Sequence, residues 1–297
     1  MTLSSKKHPA LRFGLRAAGL LCVATLGFFA WQSYYPVRAA NGWTVQVVHG
    51  DVQKAASLLP MADGSLVVSQ ELDKAKGSIV RIHPNGTRDV VVANLSKPDG
   101  LFATRGGWVF SQESAALPVS FFKDGVVTEL FQGESVQGLW DDGDYLYAIE
   151  DRKPFGRLLR YRWSDQTLSV LRDQVEEGES IVRCTDGRML YNEKNKGVVR
   201  ELSADGSDPV VLSHLNQPSF LMCDERGLWV NEDATHRARL LLIDKQGRQR
   251  TILSFLKAPQ SIVPTGQGTY LLAEGGRNRV LELVPDKHTA SPKHAPT

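Results

Sequence analysis

The sequence predicts an all-β fold, a six-bladed β-propeller closed by an N-terminal strand and preceded by one N-terminal hydrophobic helix. Three observations predict it. A short β-rich apolar phrase that stops at a glutamate returns six times, at Leu66 to Glu71, Trp108 to Glu113, Leu146 to Glu150, Met189 to Glu193, Leu228 to Glu232 and Tyr270 to Glu274. Subtracting successive glutamate positions gives 42, 37, 43, 39 and 42 residues, a period near forty that suits a four-stranded blade. The last repeat lacks an outer strand of its own, and a spare strand stands at the other end of the repeat region, Trp43 to Val48.

Each phrase follows an Asp/Gly turn such as Ala62-Asp63-Gly64, Thr185-Asp186-Gly187 or Gly266-Gln267-Gly268, so the phrase is the second strand (b) of its blade. A variable loop leads to strand c, for example Ser78 to His83, Leu158 to Trp163 and Arg239 to Ile243. A second turn and strand d complete five blades. After Val284 come Pro285 and a polar tail, 286–297, that reads as disordered. If Trp43 to Val48 pairs with Val280 to Val284, the ring closes and two unpaired edges disappear. The body is therefore placed at 43–285, and a single blade cannot bury its faces alone.

The first 36 residues read as a membrane anchor or signal segment, and 37–42 as a linker. Lys6, Lys7, Arg12 and Arg16 precede an apolar run from Ala17 to Trp31. A cleavable signal would use Val37-Arg38-Ala39 as its cleavage site. A retained anchor would place Trp31, Tyr34 and Tyr35 in the outer aromatic belt. In both cases the positive charges stay inside and the body lies outside the cytoplasm, periplasmic or extracellular.

Net charge is +2, but five basic and no acidic residues precede Asn41. Without them 30 Lys and Arg face 33 Asp and Glu, which leaves −3. A slightly acidic body carries no footprint for nucleic acid. The three cysteines are too few for a disulfide framework. Cys184 and Cys223 fall late in strand a of neighbouring blades, where diverging strands favour two buried thiols over a bridge. Cys22 lies in the apolar segment.

The segments Pro98-Asp99-Gly100-Leu101 and Gly107 to Glu113 resemble the six-bladed propellers of the gluconolactonase and luciferin-regenerating superfamily. Gln217-Pro218, Leu228 to Glu232 and Gly276-Arg277-Asn278-Arg279-Val280 look like streptogramin B lyase repeats. The resemblance spans about Gly42 to Pro285. It implies the fold, and many functions share it. It also implies a divalent cation held in the channel by oxygen ligands from the starts of strands a. Asp99 stands where that pattern often has asparagine, and Ser57 where it has glutamate.

In such a ring the d-to-a and b-to-c loops share one face, so two sets of side chains meet at the channel mouth. Aligning the repeats gives an inner set of Ser57, Asp99, Gln137, Glu179, Ser219 and Gln260. All are polar, and they differ between blades as site residues do. The outer set is Glu71, Glu113, Glu150, Glu193, Glu232 and Glu274. A residue repeated in every blade reads first as structural, accepting backbone N–H groups at the turn. Nearby Lys74, Lys76, Arg152, Lys194, Lys196, Arg237 and Arg277 read mostly as solvated surface.

Asp99 and Glu179 are the candidate metal ligands, with calcium the expected cation. Ser57, Gln137, Ser219, Gln260, Glu113 and Glu193 are candidate ligand-binding residues, against the plainer reading of a hydrated polar channel. His49, His214 and His236 fall in loops on this face, and His214 is the candidate general base. No Ser-His-Asp order, phosphate loop or zinc spacing is visible.

Two function classes follow. One is an exported, membrane-anchored propeller that binds a small polar ligand at the mouth, with metal-assisted lactone or ester hydrolysis if it is catalytic. The other is a non-catalytic platform for a protein or polysaccharide. An oxygen cluster around a cation would favour the enzyme, and a salt-bridged channel would favour the platform.

Overall fold

The computed structural model describes residues 9–233 and 238–286. Two units are separate. Unit one, ending at Pro36, is the helix Pro9–Tyr34. Its stretch Phe13–Gln32 is long and apolar enough to cross a membrane, and its residues are unburied. A signal sequence near an N-terminus meets the same description.

Unit two is a six-bladed propeller of antiparallel sheets. Blade 1 comprises strands Ala55–Pro60, Leu66–Gln70, Gly77–Ile82 and Arg88–Leu95. Blade 2 comprises Pro98–Thr104, Gly107–Gln112, Ala116–Lys123 and Val126–Glu134. Blade 3 comprises Val136–Asp141, Tyr145–Glu150, Gly156–Arg162 and Leu168–Val175. Blade 4 is the shortest, with Ile181–Arg183, Met189–Glu193, Val198–Glu201 and Val210–Leu212. Blade 5 comprises Pro218–Asp224, Gly227–Glu232, Ala238–Asp244 and Gln249–Leu256. Blade 6 comprises Pro259–Pro264, Tyr270–Glu274 and Arg279–Pro285.

Trp43–His49 supplies the outer strand of blade 6, antiparallel to Arg279–Pro285, with Val45 opposite Leu283. Gln46 Nε2 donates to Glu282 Oε2 at 2.8 Å across that pair. Trp43 then meets Trp229 edge-on at 5.6 Å between ring centres, and Trp229 lies 4.7 Å from Tyr270. The closing strand thus joins the apolar layer between blades 5 and 6. Aromatic burial adds to the new backbone pairing, so closure is held by two kinds of interaction.

Residues 37–42, expected to be a linker, do more. Arg38–Ala39 pairs with Ser254 and Leu253 as a fifth strand on blade 5. Ala40 N donates to Ile252 O at 2.9 Å, and Val37 and Ala39 pack on the same apolar layer. An otherwise open edge of blade 5 explains the pairing.

A second correction concerns cysteine. Cys184 and Cys223 form a disulfide, because their Cα atoms are only 4.9 Å apart. That separation lies within the range a bridge requires. The bond ties the inner strands of blades 4 and 5 together. His236 and residues 287–297 lie outside the described residues.

The recurring glutamate is structural in four blades. Glu150, Glu193, Glu232 and Glu274 are buried at the ends of strands b. Each accepts a backbone N–H from the loop entering strand a, from Glu134, Glu176, Asn216 and Lys257, at 2.8 to 3.1 Å. Each also holds an arginine of strand c, namely Arg157, Arg200, Arg239 and Arg279, at 2.5 to 2.8 Å. The carboxylate therefore staples three segments of one blade. Removing it strands a guanidinium and an N–H together. Glu150→Ala should cost about 3 kcal/mol in chemical unfolding. Glu225→Ala, at an exposed pair with Lys245, should cost less than about 1 kcal/mol. Equal effects would contradict the staple.

Candidate functional site

The mouth is built from a backbone device used six times. The residue entering each strand a has a left-handed φ between 43° and 53°: Lys54, Lys97, Ser135, Glu177, Gln217 and Ala258. None is glycine, so each conformation is costly and must be held by its surroundings. The holder is a hydrogen bond. The N–H of the residue just after strand b donates to that residue's carbonyl, from Glu71, Glu113, Asp151, Lys194, Asp233 and Gly275 in turn, at 2.8 to 3.1 Å.

This device fixes the true equivalences. Glu71 and Glu113 correspond to Asp151, Lys194, Asp233 and Gly275. The staple position in blades 1 and 2 is instead Gln70 and Gln112, paired opposite Ala55 and Pro98 as Glu150 pairs opposite Val136. Gln112 Oε1 accepts Ser96 N–H at 2.8 Å, where the other blades use carboxylate. The expected outer set of six glutamates is therefore two sets. Four glutamates are consumed inside their blades, and Glu193 is among them, bound to Lys196 and Arg200. Glu71 and Glu113 are released to the mouth.

The inner set needs one shift as well. Ser57 N donates to Ser69 Oγ as Gly100 N donates to Ser111 Oγ, so Ser57 matches Gly100 and Ala56 matches Asp99. Strand a carries an extra residue at this level in five blades, which turns the side chains near the mouth. Ser57, Asp99, Gln137, Glu179, Ser219 and Gln260 all line the channel, a cavity of about 360 Å³. Glycine permits the close approach in the middle of this arc. A Cβ on Gly100 would stand 2.1 Å from Gln137 O, and one on Gly138 would stand 2.7 Å from Glu179 O. Asp99, Gln137 and Glu179 are thereby carried on strands that nearly touch.

A ring of blade-to-blade hydrogen bonds fixes this level. Ser69 Oγ donates to Asp99 O and Ser111 Oγ to Gln137 O, each at 3.0 Å. Asn192 Nδ2 donates to Pro218 O, Asn231 Nδ2 to Gln260 O, and Ser261 Oγ to Ala56 O. Blade 3 has Ile149 at this place, buried in an apolar cluster with Ile181 of blade 4. Sequence reasoning missed these residues. For Ser69, Ser111, Asn192 and Asn231 the signal was a polar residue one place before the staple, inside an otherwise apolar run, whereas Ser261 lies in strand a of blade 6.

Electrostatics at the mouth are unbalanced. Lys97 spans blades 1 and 2, with Nζ 3.4 Å from Glu71 Oε1 and closer still to Glu113 Oε1. Lys194 spans blades 4 and 5, against Glu179 Oε1 and 3.4 Å from Asp233 Oδ2. Burial alone would pull both lysines down, but the surrounding carboxylates carry them up, so both stay charged. Asp99 is 7 % exposed, and no described residue donates to its carboxylate. Burial first, then Glu71, Glu113 and Glu179, raise its pKa well above the usual range, with Lys97 only partly opposing. Burial raises Glu179 to about 8 against the pull of Lys194. Burial, with Glu113 adding, raises Asp151 to about 6.

Lys194 occupies Glu179, and no group of three or more His, Cys, Asp or Glu among the described residues is arranged to hold a metal ion. His214 is exposed, has φ 60°, and is not part of the channel wall. Among the described residues nothing orients its ring as a general base.

No protein-family model and no curated protein matches the sequence. Solved structures do match. A gluconolactonase from Xanthomonas campestris aligns with TM-score 0.67 at 13% identity, over 83% of this chain and 90% of that one. A streptogramin B lyase aligns with TM-score 0.61 at 12% identity, over 84% and 100%. An auxiliary nutrient binding protein from Bacteroides ovatus aligns with TM-score 0.63 at 12% identity, over 83% and 77%. The shared feature is the fold. This chain shares the six-bladed propeller fold of those structures. Such low identities carry no ligand or activity across.

The raised carboxyls of the propeller mouth have a pH consequence. Glu179 binds its proton more tightly folded than unfolded, so stability falls as pH rises from about 4.5 to about 8. Asp151 acts likewise between about 4 and about 6. His49, lowered by burial and by Arg88, works in the opposite sense below its ordinary value of 6.5. The comparison with Glu179→Gln isolates the mouth. Chemical unfolding should show the wild type losing stability relative to that variant between pH 5 and pH 8.5. A constant difference over that range would contradict the burial assigned to Glu179.

Proposed function

We propose that this chain is an exported, membrane-anchored propeller that binds a small polar ligand at the mouth of its channel. The observation that carries the reading is Asp99. Its carboxyl receives no donor from the described residues and faces the channel, where water or a ligand satisfies it. Its neighbours Glu71, Glu113 and Glu179 add like charge, and the cavity it lines is open to a ligand of modest size. The helix Pro9–Tyr34, preceded by Lys6 and Lys7, supports export and anchoring.

The salt bridges of Lys97 and Lys194 weigh against metal-assisted hydrolysis. The undonated Asp99 weighs for a ligand over a bare platform for protein or polysaccharide. One observation favours a second reading, hydrolysis of a lactone or ester without a metal. Asp151 near 6 and Glu179 near 8 flank Lys194, so two carboxyls could exchange protons near neutral pH.

The test is a melting survey of the full chain in detergent against lactones, sugars, amino acids, amines and calcium chloride. A ligand at a hundred times its Kd contributes about 2.7 kcal/mol. That corresponds to a rise of roughly 5–10 °C for a chain of this size. We expect at least one class of compound to give such a rise, and Asp99→Asn or Glu179→Gln to weaken it at least tenfold. If no compound stabilises the protein, or the rise survives both substitutions, the mouth is not the binding site.

A further inference from the structure

The mouth and the shaft beneath it differ in chemistry, and the difference specifies a ligand. At the mouth, Glu71, Asp99, Glu113, Asp151, Glu179 and Asp233 face the ammonium groups of Lys97 and Lys194, with Lys54 acting more weakly on Glu71 and Asp233. Asp99 is more than nine-tenths buried, lines the cavity, and receives no hydrogen bond or ion pair on its carboxylate among the described residues. Below it the wall turns mostly apolar, with Leu101, Leu139 and Leu221 beside the partly exposed rings of Phe102, Trp140 and Phe220, and with Arg183 the one basic residue of the lining among the described residues. Phe102 and Trp140 come from neighbouring blades and meet edge to face at 6.3 Å.

From this juxtaposition we infer that the channel takes a small organic cation, a protonated primary amine with an apolar body. Its ammonium lies at Asp99 and its hydrocarbon part points down the shaft. The inference rests on the small-ligand reading above and adds the ligand's charge and shape. A carboxylate ligand meets like charge from several buried groups, which disfavours it strongly. A neutral polar ligand can donate to Asp99 but leaves the charge excess in place. An ammonium does both, as Lys97 and Lys194 already do, each between two carboxylates of adjacent blades. A bare metal ion would leave the apolar wall unused. An aryl or alkyl body covers that wall, and the partly exposed rings add attraction for a cation above them. A volume of about 360 Å³ holds a body the size of a phenylethyl or hexyl group.

The test uses the full chain in detergent at pH 8 and four probes, 2-phenylethylamine, n-hexylamine, 2-phenylethanol and phenylacetate, with calcium chloride as a separate arm. Calorimetric titration should show both amines binding. The alcohol should bind at least tenfold more weakly and phenylacetate should not bind. Asp99→Asn should lower amine affinity at least tenfold while keeping the folded far-ultraviolet spectrum. The amine-to-alcohol comparison needs no variant, so misfolding of Asp99→Asn cannot rescue the claim. Equal binding of amine and alcohol overturns the cation inference and leaves small-ligand binding standing. The same holds if calcium binds and both amines fail. If no compound binds, the cation inference and the small-ligand reading fail together.

Discussion

The mouth of this propeller depends on one backbone contact repeated around the ring. Six non-glycine residues turn into strand a with positive φ, and each is held there by an N–H from the residue just past strand b. That contact sets the side chain after strand b at the mouth and the side chain two places into strand a against the channel. The carboxylate or amide before it stays within the sheet as a staple. Chain conformation, blade integrity and site chemistry therefore meet in three consecutive residues. In blades 1 and 2 the staple position is glutamine and the residue after it, at the mouth, is glutamate. The fold thus places a charged cluster at the mouth by small edits to a structural repeat.

Those edits leave more acid than base in a desolvated place. In bulk water such an excess matters little, but burial lengthens the reach of each charge. Lys97 and Lys194 absorb part of it and lock blade 1 to blade 2 and blade 4 to blade 5. Between them, burial and like charge hold the Asp99 carboxyl well above its usual range, and burial raises Glu179 to about 8. The site is preorganised by its scaffold and incomplete in charge, which is the condition under which a ligand gains most from entering. The same condition explains why the lysines are not interchangeable with surface lysines such as Lys74 and Lys76, which are exposed on the blade 1 loop.

Much of the fold was legible because its signals are local. The apolar phrase, the Asp/Gly turns and the spare strand at Trp43 each have a physical meaning that survives without an alignment, and the ring closes as they require. The site was harder. Glu71 and Glu150 look alike in sequence, yet one faces the mouth and the other the sheet, because a one-residue slip exchanges the faces of a strand. The extra residue in strand a hid the same slip at Ser57. Lys194 resembled a solvated loop lysine until its neighbours from blades 4 and 5 were placed beside it. The disulfide depended on a separation between strands of different blades, which no spacing along the chain encodes. Asp151 and Asp233 were invisible because they follow a residue that already seemed to end the pattern.

The carboxyls of the mouth are buried and crowded by their own kind. Carbon-detected NMR of the full chain labelled at the glutamate side-chain carboxyl measures this directly, with Glu179→Gln providing the assignment. The account predicts one glutamate resonance titrating near 8, absent in that variant. If every glutamate carboxyl titrates in the ordinary range near 4.3, the mouth is solvated and the account is wrong.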